Sequence, residues 1–285
     1  MTARPAIVPT TLKEALGAIA RRNVVAVAGG TDLMVRLHDT SESKRSSLLI
    51  LEGVKPLRKI VLKGAGIDLG PLVTFSEIET SSILTRFAPQ LVEAASVAGS
   101  TQIRNRATVG GNIANGSPAG DLIPPLYVLS AKLELSSSRG KRRVSIEDFF
   151  TGPGETVLKG NELITSVVLE RSAGEGFFLR LAARKALAIS KVSVAANVSL
   201  RKRRVRSIKI ALGAVAPTVL RALRTEEYLL DKQLDEDCIR SACDIAKGEA
   251  RPIDDIRSEA DYRREMVGVL LRRGLSRIAL SRKHA

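Results

Sequence analysis

The sequence predicts an α+β chain of two domains, and three observations carry that prediction. At 285 residues the chain exceeds the roughly 100–200 residues of a typical domain. Short β-branched runs alternate with segments of helical period at no regular interval, which argues for α+β rather than a doubly wound parallel sheet. After Ser172-Ala173-Gly174-Glu175-Gly176, a composition suited to a linker, the strand pattern restarts, so domains of residues 1–173 and 177–285 are expected. With 44% hydrophobic and 26% charged residues and no low-complexity tract, the chain is neither disordered nor fibrous.

Thr11-Leu12-Lys13-Glu14 fits the reciprocal N-cap pattern, and Leu12, Ala15, Leu16 and Ile19 recur at helical spacing, which predicts a helix to about Arg22. Val24 to Ala28 reads as a strand, Gly29-Gly30 as a turn, and Thr31 as the cap of a helix through Leu37. Ser47–Leu51, Leu57–Leu62 and Ile67–Leu72 read as strands, the last two turned around Gly64-Ala65-Gly66. Helix resumes at Ser76 and again over Pro89–Val97. Ser100 to Pro125 is dense in Gly, Asn, Ser and Pro and reads as a long loop of the kind that binds something. A short helix ends in Leu126–Ala131, Leu133–Leu135 and Arg143–Ile146 form a hairpin pair, and Leu163–Leu169 alternates as a strand. Beyond the linker, Phe177–Ala182, Val192–Leu200 and Val205–Ala214 predict a three-stranded sheet, followed by helices over Val219–Leu230, Glu236–Lys247 and Glu259–Ala279.

Charge and cysteines bound the function. With 45 Lys+Arg against 30 Asp+Glu the chain carries +15, enough to attract a polyanion, an acidic membrane surface or an acidic partner subunit. The basic runs Arg139–Arg143, Arg201–Arg204, Arg272-Arg273 and Arg282-Lys283 make a basic nucleic-acid-binding protein a distant alternative, but they have almost no aromatic residues to stack on bases, so no nucleic acid partner is expected. Solvated turns and helix ends are the simpler reading, and docking against acidic partner faces is a third. Cys238 and Cys243, five positions apart on a predicted helix, point to different faces and do not pair, which suits a reducing, cytoplasmic compartment. Two cysteines and two histidines, His38 and His284, make no metal or iron–sulfur site. The first residues lack the roughly 7–15-residue apolar core of a signal peptide and no run approaches the roughly 20 apolar residues of a span, so no integral membrane association is expected.

Two segments concentrate the chemistry: Ala28-Gly29-Gly30-Thr31-Asp32-Leu33, leading out of Val27, and Thr108-Val109-Gly110-Gly111-Asn112. Adjacent glycines let backbone approach a ligand, and exposed N–H groups beside a threonine hydroxyl suit phosphate oxygens. A single glycine pair is more often just a tight turn, whereas two such loops point to a phosphate-bearing ligand. Neither loop is Gly-x-Gly-x-x-Gly, and no Gly-Lys-Ser/Thr is present, so the Rossmann and P-loop readings fail.

AGGTDL (28–33) and TVGGNIANGSPAGDLIPPL (108–126) resemble the two FAD-binding segments of the flavoprotein, or medium, subunit of molybdenum hydroxylases, the group of xanthine dehydrogenase and aerobic carbon monoxide dehydrogenase. The resemblance extends through ALAISKVSVA (186–195), ALGAVAPTVLRA (211–222) and DYRREMVGVLLRR (261–273), nearly the whole chain. It implies a two-subdomain FAD fold of the vanillyl-alcohol oxidase / p-cresol methylhydroxylase type, subdomains about 1–53 and 54–173, followed by the C-terminal domain. By the same resemblance, Val27 to Leu33 wrap the pyrophosphate of a noncovalent FAD, and Thr108 to Asn112 lie along the pyrophosphate and isoalloxazine. Ser117 and Asp121 hold the cofactor, and Ile164 packs near the flavin. Arg180 stands where the family commonly has lysine, keeping the charge with a different geometry. Asp32 is expected to face away from the phosphates, which its carboxylate would repel.

The implied assembly has a large molybdenum-cofactor subunit and a small subunit with 2Fe–2S clusters, as a dimer of heterotrimers. Substrate is hydroxylated at molybdenum on the large subunit, and electrons pass through the clusters to this FAD and on to NAD+, quinone or dioxygen. No general acid or base is needed from this chain, and no catalytic residue is nominated. A stand-alone noncovalent FAD oxidoreductase of the same fold, such as a reductase of cell-wall precursors, needs its own acid or base. Tyr127, Tyr228 and Tyr262 are the only tyrosines, and none lies in a glycine loop.

Overall fold

A computed structural model of the protein describes residues 6–39, 46–171, 174–184 and 186–281. The linker residues Ser172 and Ala173, and Lys185, Arg282, Lys283 and His284, lie outside the described residues.

The first unit is a three-stranded parallel sheet. β1 (Ala6–Ile7), α1 (Leu12–Ile19), β2 (Val24–Val27), α2 (Leu33–Asp39) and β3 (Ser47–Ile50) give the order β1-β3-β2. The Thr11/Glu14 cap forms as expected, while α1 stops at Ile19 rather than Arg22. Thr31 does not cap α2; its hydroxyl turns instead to the Asp32 carboxylate at 3.4 Å. Buried Ala15, Ala18, Leu49 and Leu57 form the core of this unit, closed by Leu72 and Leu163 from the next. The strand expected from Leu57 begins only at Ile60, because Pro56 opens a tight 3₁₀ turn over Lys55–Leu57.

The second unit contains β4 (Ile60–Lys63), β5 (Gly66–Leu69), α3 (Phe75–Thr80), α4 (Ser82–Phe87), α5 (Pro89–Val97), α6 (Thr101–Arg104), α7 (Val109–Asn115), α8 (Ile123–Val128), β6 (Lys132–Ser137), β7 (Gly140–Ser145), β8 (Phe150–Gly152), β9 (Glu155–Thr156) and β10 (Leu163–Glu170). Its main sheet, β4-β5-β10-β6-β7, is antiparallel throughout. The long loop expected over 100–125 is not a loop. It holds α6, α7 and the start of α8, because the Ser100 and Thr108 hydroxyls each accept the N–H three residues on. Gly116, at φ +63°, then closes α7 in the left-handed region.

The third unit is β11 (Glu175–Ala182), β12 (Ser190–Arg201), β13 (Arg204–Gly213), β14 (Leu220–Arg221), α9 (Leu223–Leu229), α10 (Glu236–Glu249) and α11 (Ala260–Ser281). The C-terminal sheet has four strands rather than the expected three, since β14, too short to show an alternating pattern, pairs with β13 at Ala211 and Leu212. α10 and α11 cover one face over a core that includes Phe177, Val194, Ile210, Ile239 and Leu271. Gly274 lets α11 reach the sheet: a Cβ there would stand 2.2 Å from the Phe177 ring. On the other face Phe178, Ala195 and Ala211 join the core of the second unit, so the two units pack as one body. No helix among the described residues is long and apolar enough to cross a membrane.

Candidate functional site

The parallel sheet ends at Val27 in the 28–32 turn, which faces the start of α7. Gly29 brings the two segments together: an added Cβ would lie 1.8 Å from the Arg106 carbonyl oxygen, so the turn lies flat on the chain leading into Thr108. Gly30 takes φ +77°, a conformation that suits glycine. Between the turn, α7 and the end of the second sheet runs a cleft with about 1070 Å3 of empty space counted out to its open mouth. Ala28 to Leu33 form one wall, Thr108, Gly110, Gly111, Asn112 and Asn115 the other, and Leu57, Phe75, Leu158 and Ile164 an apolar end.

The two glycine segments differ in what they offer a ligand. The N–H groups of Gly29, Gly30, Thr31, Asp32 and Leu33 donate to no acceptor among the described residues. In the second segment four are taken: Val109 donates to Val73 O at 3.0 Å, Gly110 to Pro71 O at 2.7 Å, Gly111 to Thr108 Oγ1 at 3.1 Å and Asn112 to Thr108 O at 2.9 Å. Exposed amides are expected of both loops; the first has a row of them, whereas the amides of Val109 to Asn112 are used, because they form the capped first turn of a helix laid against residues 71–73. Gly110 serves that packing, since a Cβ would meet the Pro71 side chain at 2.6 Å. What the second wall offers is a side chain: Asn112 Oδ1 is buried with no hydrogen-bond partner among the described residues.

The structure separates the expected site residues by place. Ala28 to Leu33, Thr108, Gly110 to Asn112 and Ile164 line the cleft. Val27 and Val109 are buried behind it as packing. Ser117 lines a neighbouring hollow and accepts the Ala119 N–H at 3.3 Å. Asp121 and Arg180 do not line the cleft: they form a buried ion pair at 2.7 Å, in which Ser190 also donates to Asp121 at 2.6 Å and Arg180 also donates to the carbonyls of Ala188 and Val97. Burial raises the Asp121 carboxyl above its ordinary value, opposed by the Arg180 guanidinium and the Ser190 hydroxyl. Asp32, expected to face away, lines the cleft with its carboxylate toward Asn115 Nδ2 at 3.5 Å and the Thr31 hydroxyl.

Arg36, Asn115 and Glu162 also line the cleft, and the sequence does not single them out. Arg36 on α2 donates to Asn115 Oδ1 at 2.7 Å. Glu162, at the apolar end, takes both its oxygens to Arg142 at 2.8 Å, and that guanidinium holds its carboxyl below the ordinary value. The available signals were the four-residue spacing from Asp32 to Arg36, which shares one helix face, and the position of Glu162 two residues before Ile164.

Residues 2–169 match the family described as "FAD binding domain in molybdopterin dehydrogenase", and residues 177–278 match "CO dehydrogenase flavoprotein C-terminal domain". The chain is 30% identical over 272 residues to the xanthine dehydrogenase FAD-binding subunit of Escherichia coli O157:H7, covering 93% of this chain and 92% of that one. It superposes on a chain of quinoline 2-oxidoreductase from Pseudomonas putida 86 with a TM-score of 0.92 at 27% identity, covering 98% of each. The match to carbon monoxide dehydrogenase from Hydrogenophaga pseudoflava has a TM-score of 0.91 at 28% identity, again over 98% of each chain.

Proposed function

Since this chain belongs to the family of FAD-binding subunits of molybdopterin dehydrogenases, we propose that it is the electron outlet of a three-part molybdenum hydroxylase. It is an oxidoreductase subunit, and the finer reading concerns its partners and its electron route. A small subunit with 2Fe–2S clusters hands it electrons released at a large molybdenum subunit, and it delivers them to NAD+, quinone or dioxygen. The assembly is read as a cytoplasmic dimer of heterotrimers. The division into residues 1–173 and 177–285, with subdomains of about 1–53 and 54–173, is part of the same reading, supported by three apolar clusters, one centred in each unit.

The observation that carries the proposal is the row of amides on Gly29 to Leu33 that have no acceptor among the described residues, in a cleft also lined by Asn112, whose Oδ1 has no hydrogen-bond partner among them. FAD fits both. Its diphosphate supplies acceptors for a row of N–H groups, and its rings and hydroxyls supply donors for Asn112. Planar rings suit the apolar end at Leu57, Leu158 and Ile164. FAD, when bound, supplies a carrier that is loaded and emptied in one- or two-electron steps. The chain binds it noncovalently, orients it between two walls and excludes water with Leu158 and Ile164. No acid or base is called for, and Glu162 stays committed to Arg142.

Purifying the chain with its native partners tests this. A yellow complex with flavin absorbance at about 450 nm, one flavin per chain, and molybdenum and iron on co-purifying large and small subunits is the expected result. A chain that purifies alone with flavin and turns over a substrate by itself overturns the complex, and one without flavin overturns the cofactor. An acceptor screen on the complex then chooses among NAD+, quinone and dioxygen.

A further inference from the structure

The hairpin of β12 and β13 ends in a turn whose four residues, Arg201-Lys202-Arg203-Arg204, are all basic and all exposed. Lys202 at φ +49° and Arg203 at φ +62° both sit in the left-handed region, the only two consecutive residues to do so among the described residues. This is the type I′ arrangement, which asparagine and glycine suit and bulkier side chains do not. Arg201 and Arg204 face each other across the ladder, so like charge adds to the strain. The turn is held in that shape from the side. Leu234 N–H donates to the Arg203 carbonyl at 3.2 Å, Val205 N–H to Lys232 O at 2.9 Å, and Arg204 Nη1 to Asp231 O at 2.8 Å. The Asp231 carboxylate pairs with Arg206 at 2.9 Å, while the side chains of Arg201, Lys202 and Arg203 have no hydrogen bond or ion pair among the described residues.

A turn that breaks local rules in both backbone and charge, and is braced in that state, marks a surface shaped for what meets it. Whatever meets it is anionic, and the possible anions differ in what they gain. A fluid headgroup layer moves its own charges to suit any basic surface, so a fixed and strained backbone brings it nothing. A protein face with carboxylates in fixed places does gain, because the matching cations are already in position. Nucleic acid calls for a ring to stack on its bases; the turn has none, and Tyr228 nearby already lies under Lys232 Nζ, 3.1 Å from the ring centre. A second copy of this chain brings the same turn and the same +15 excess, which repel. We propose that the Arg201–Arg204 turn is a docking post for a row of carboxylates on a partner subunit of the complex. This inference rests on the multi-subunit reading above.

The test measures binding of the full-length, FAD-loaded chain to the large and small subunits of its native complex, by interferometry at several salt concentrations. Lys202→Asn/Arg203→Gly removes two charges and the strain together, and Arg21→Gln/Arg22→Gln removes two charges from an exposed pair beyond α1 as the control. The Asn-Gly variant is expected to melt about 2–4 °C higher than wild type and to keep its flavin. It should nevertheless bind the partner subunits about tenfold more weakly, chiefly through slower association, with the loss shrinking as salt rises. The control should bind as wild type does. An Asn-Gly variant that binds the partners as wild type does, or a control that loses as much, overturns the docking role while wild-type binding keeps the multi-subunit reading. Unchanged partner binding together with weaker binding to phosphatidylglycerol vesicles or duplex DNA overturns the choice of a protein face. A wild-type chain that binds neither subunit overturns both readings.

Discussion

At the scale of single residues, the glycines separate two demands that look alike in a sequence. Gly29 has no room for a Cβ, because the Arg106 carbonyl oxygen would be 1.8 Å away, whereas at Gly17 on α1 a Cβ would meet nothing within 4 Å among the described residues beyond its chain neighbours and its own helix backbone. Gly29→Ala must push two backbone segments apart and is expected to cost about 1–3 kcal/mol or more. Gly17→Ala removes only a helix penalty and is expected to stabilise by about 0.5–1 kcal/mol. Urea unfolding of the two variants without FAD checks the pair, and a neutral Gly29→Ala would show that the turn does not pack as described. The doublet Gly29-Gly30 is conspicuous in the sequence as a ligand loop. That one of its glycines faces chain rather than ligand is not legible there, because Arg106 lies far along the chain and a missing Cβ serves either neighbour.

At the scale of elements, legibility in the sequence depends on length and on caps. The 8-residue α1 displays both its reciprocal cap and its apolar period in the residues themselves. α6, α7 and α8, of 4, 7 and 6 residues, are too short for a period to emerge, and their Gly, Asn and Pro content reads as a loop. The capping hydroxyl of Thr108 is legible only as a phosphate donor, and the structure assigns its lone pair to Gly111 N–H. That assignment makes Thr108→Ala lose about 1 kcal/mol of stability in the apo chain, with Thr108→Ser close to wild type, as thermal melts would show. If the hydroxyl served phosphate alone, the apo melts would coincide and only FAD affinity would fall.

At the scale of the whole molecule, the restart of the strand pattern after the linker signals a separate third unit, but the way it locks onto the second does not show in the sequence, because Asp121 and Arg180 are partners across the chain. Arg180 on β11 crosses to Asp121 ahead of α8 and to the carbonyl that ends α5, with side-chain exposures of 6% and 9% for the pair. Taking two charges out of water is costly, so the pair adds little net stability over an apolar substitute, while removing one partner strands the other. Arg180→Met is therefore expected to cost about 3–5 kcal/mol, and the double variant Arg180→Met/Asp121→Leu to recover much of it. Acid should also relieve the single variant. Burial already raises the Asp121 carboxyl in the folded chain, and removing the guanidinium raises it further, so the native state holds a proton that the unfolded state has lost. A folded value above the unfolded one, about 3.9, means stability falls as pH rises through that window and returns as pH is lowered. Chemical unfolding of Arg180→Met from neutral pH downward should accordingly show its deficit against wild type shrinking. A deficit that stays constant with pH would mean that Asp121 is not stranded and that some other contact joins the two units.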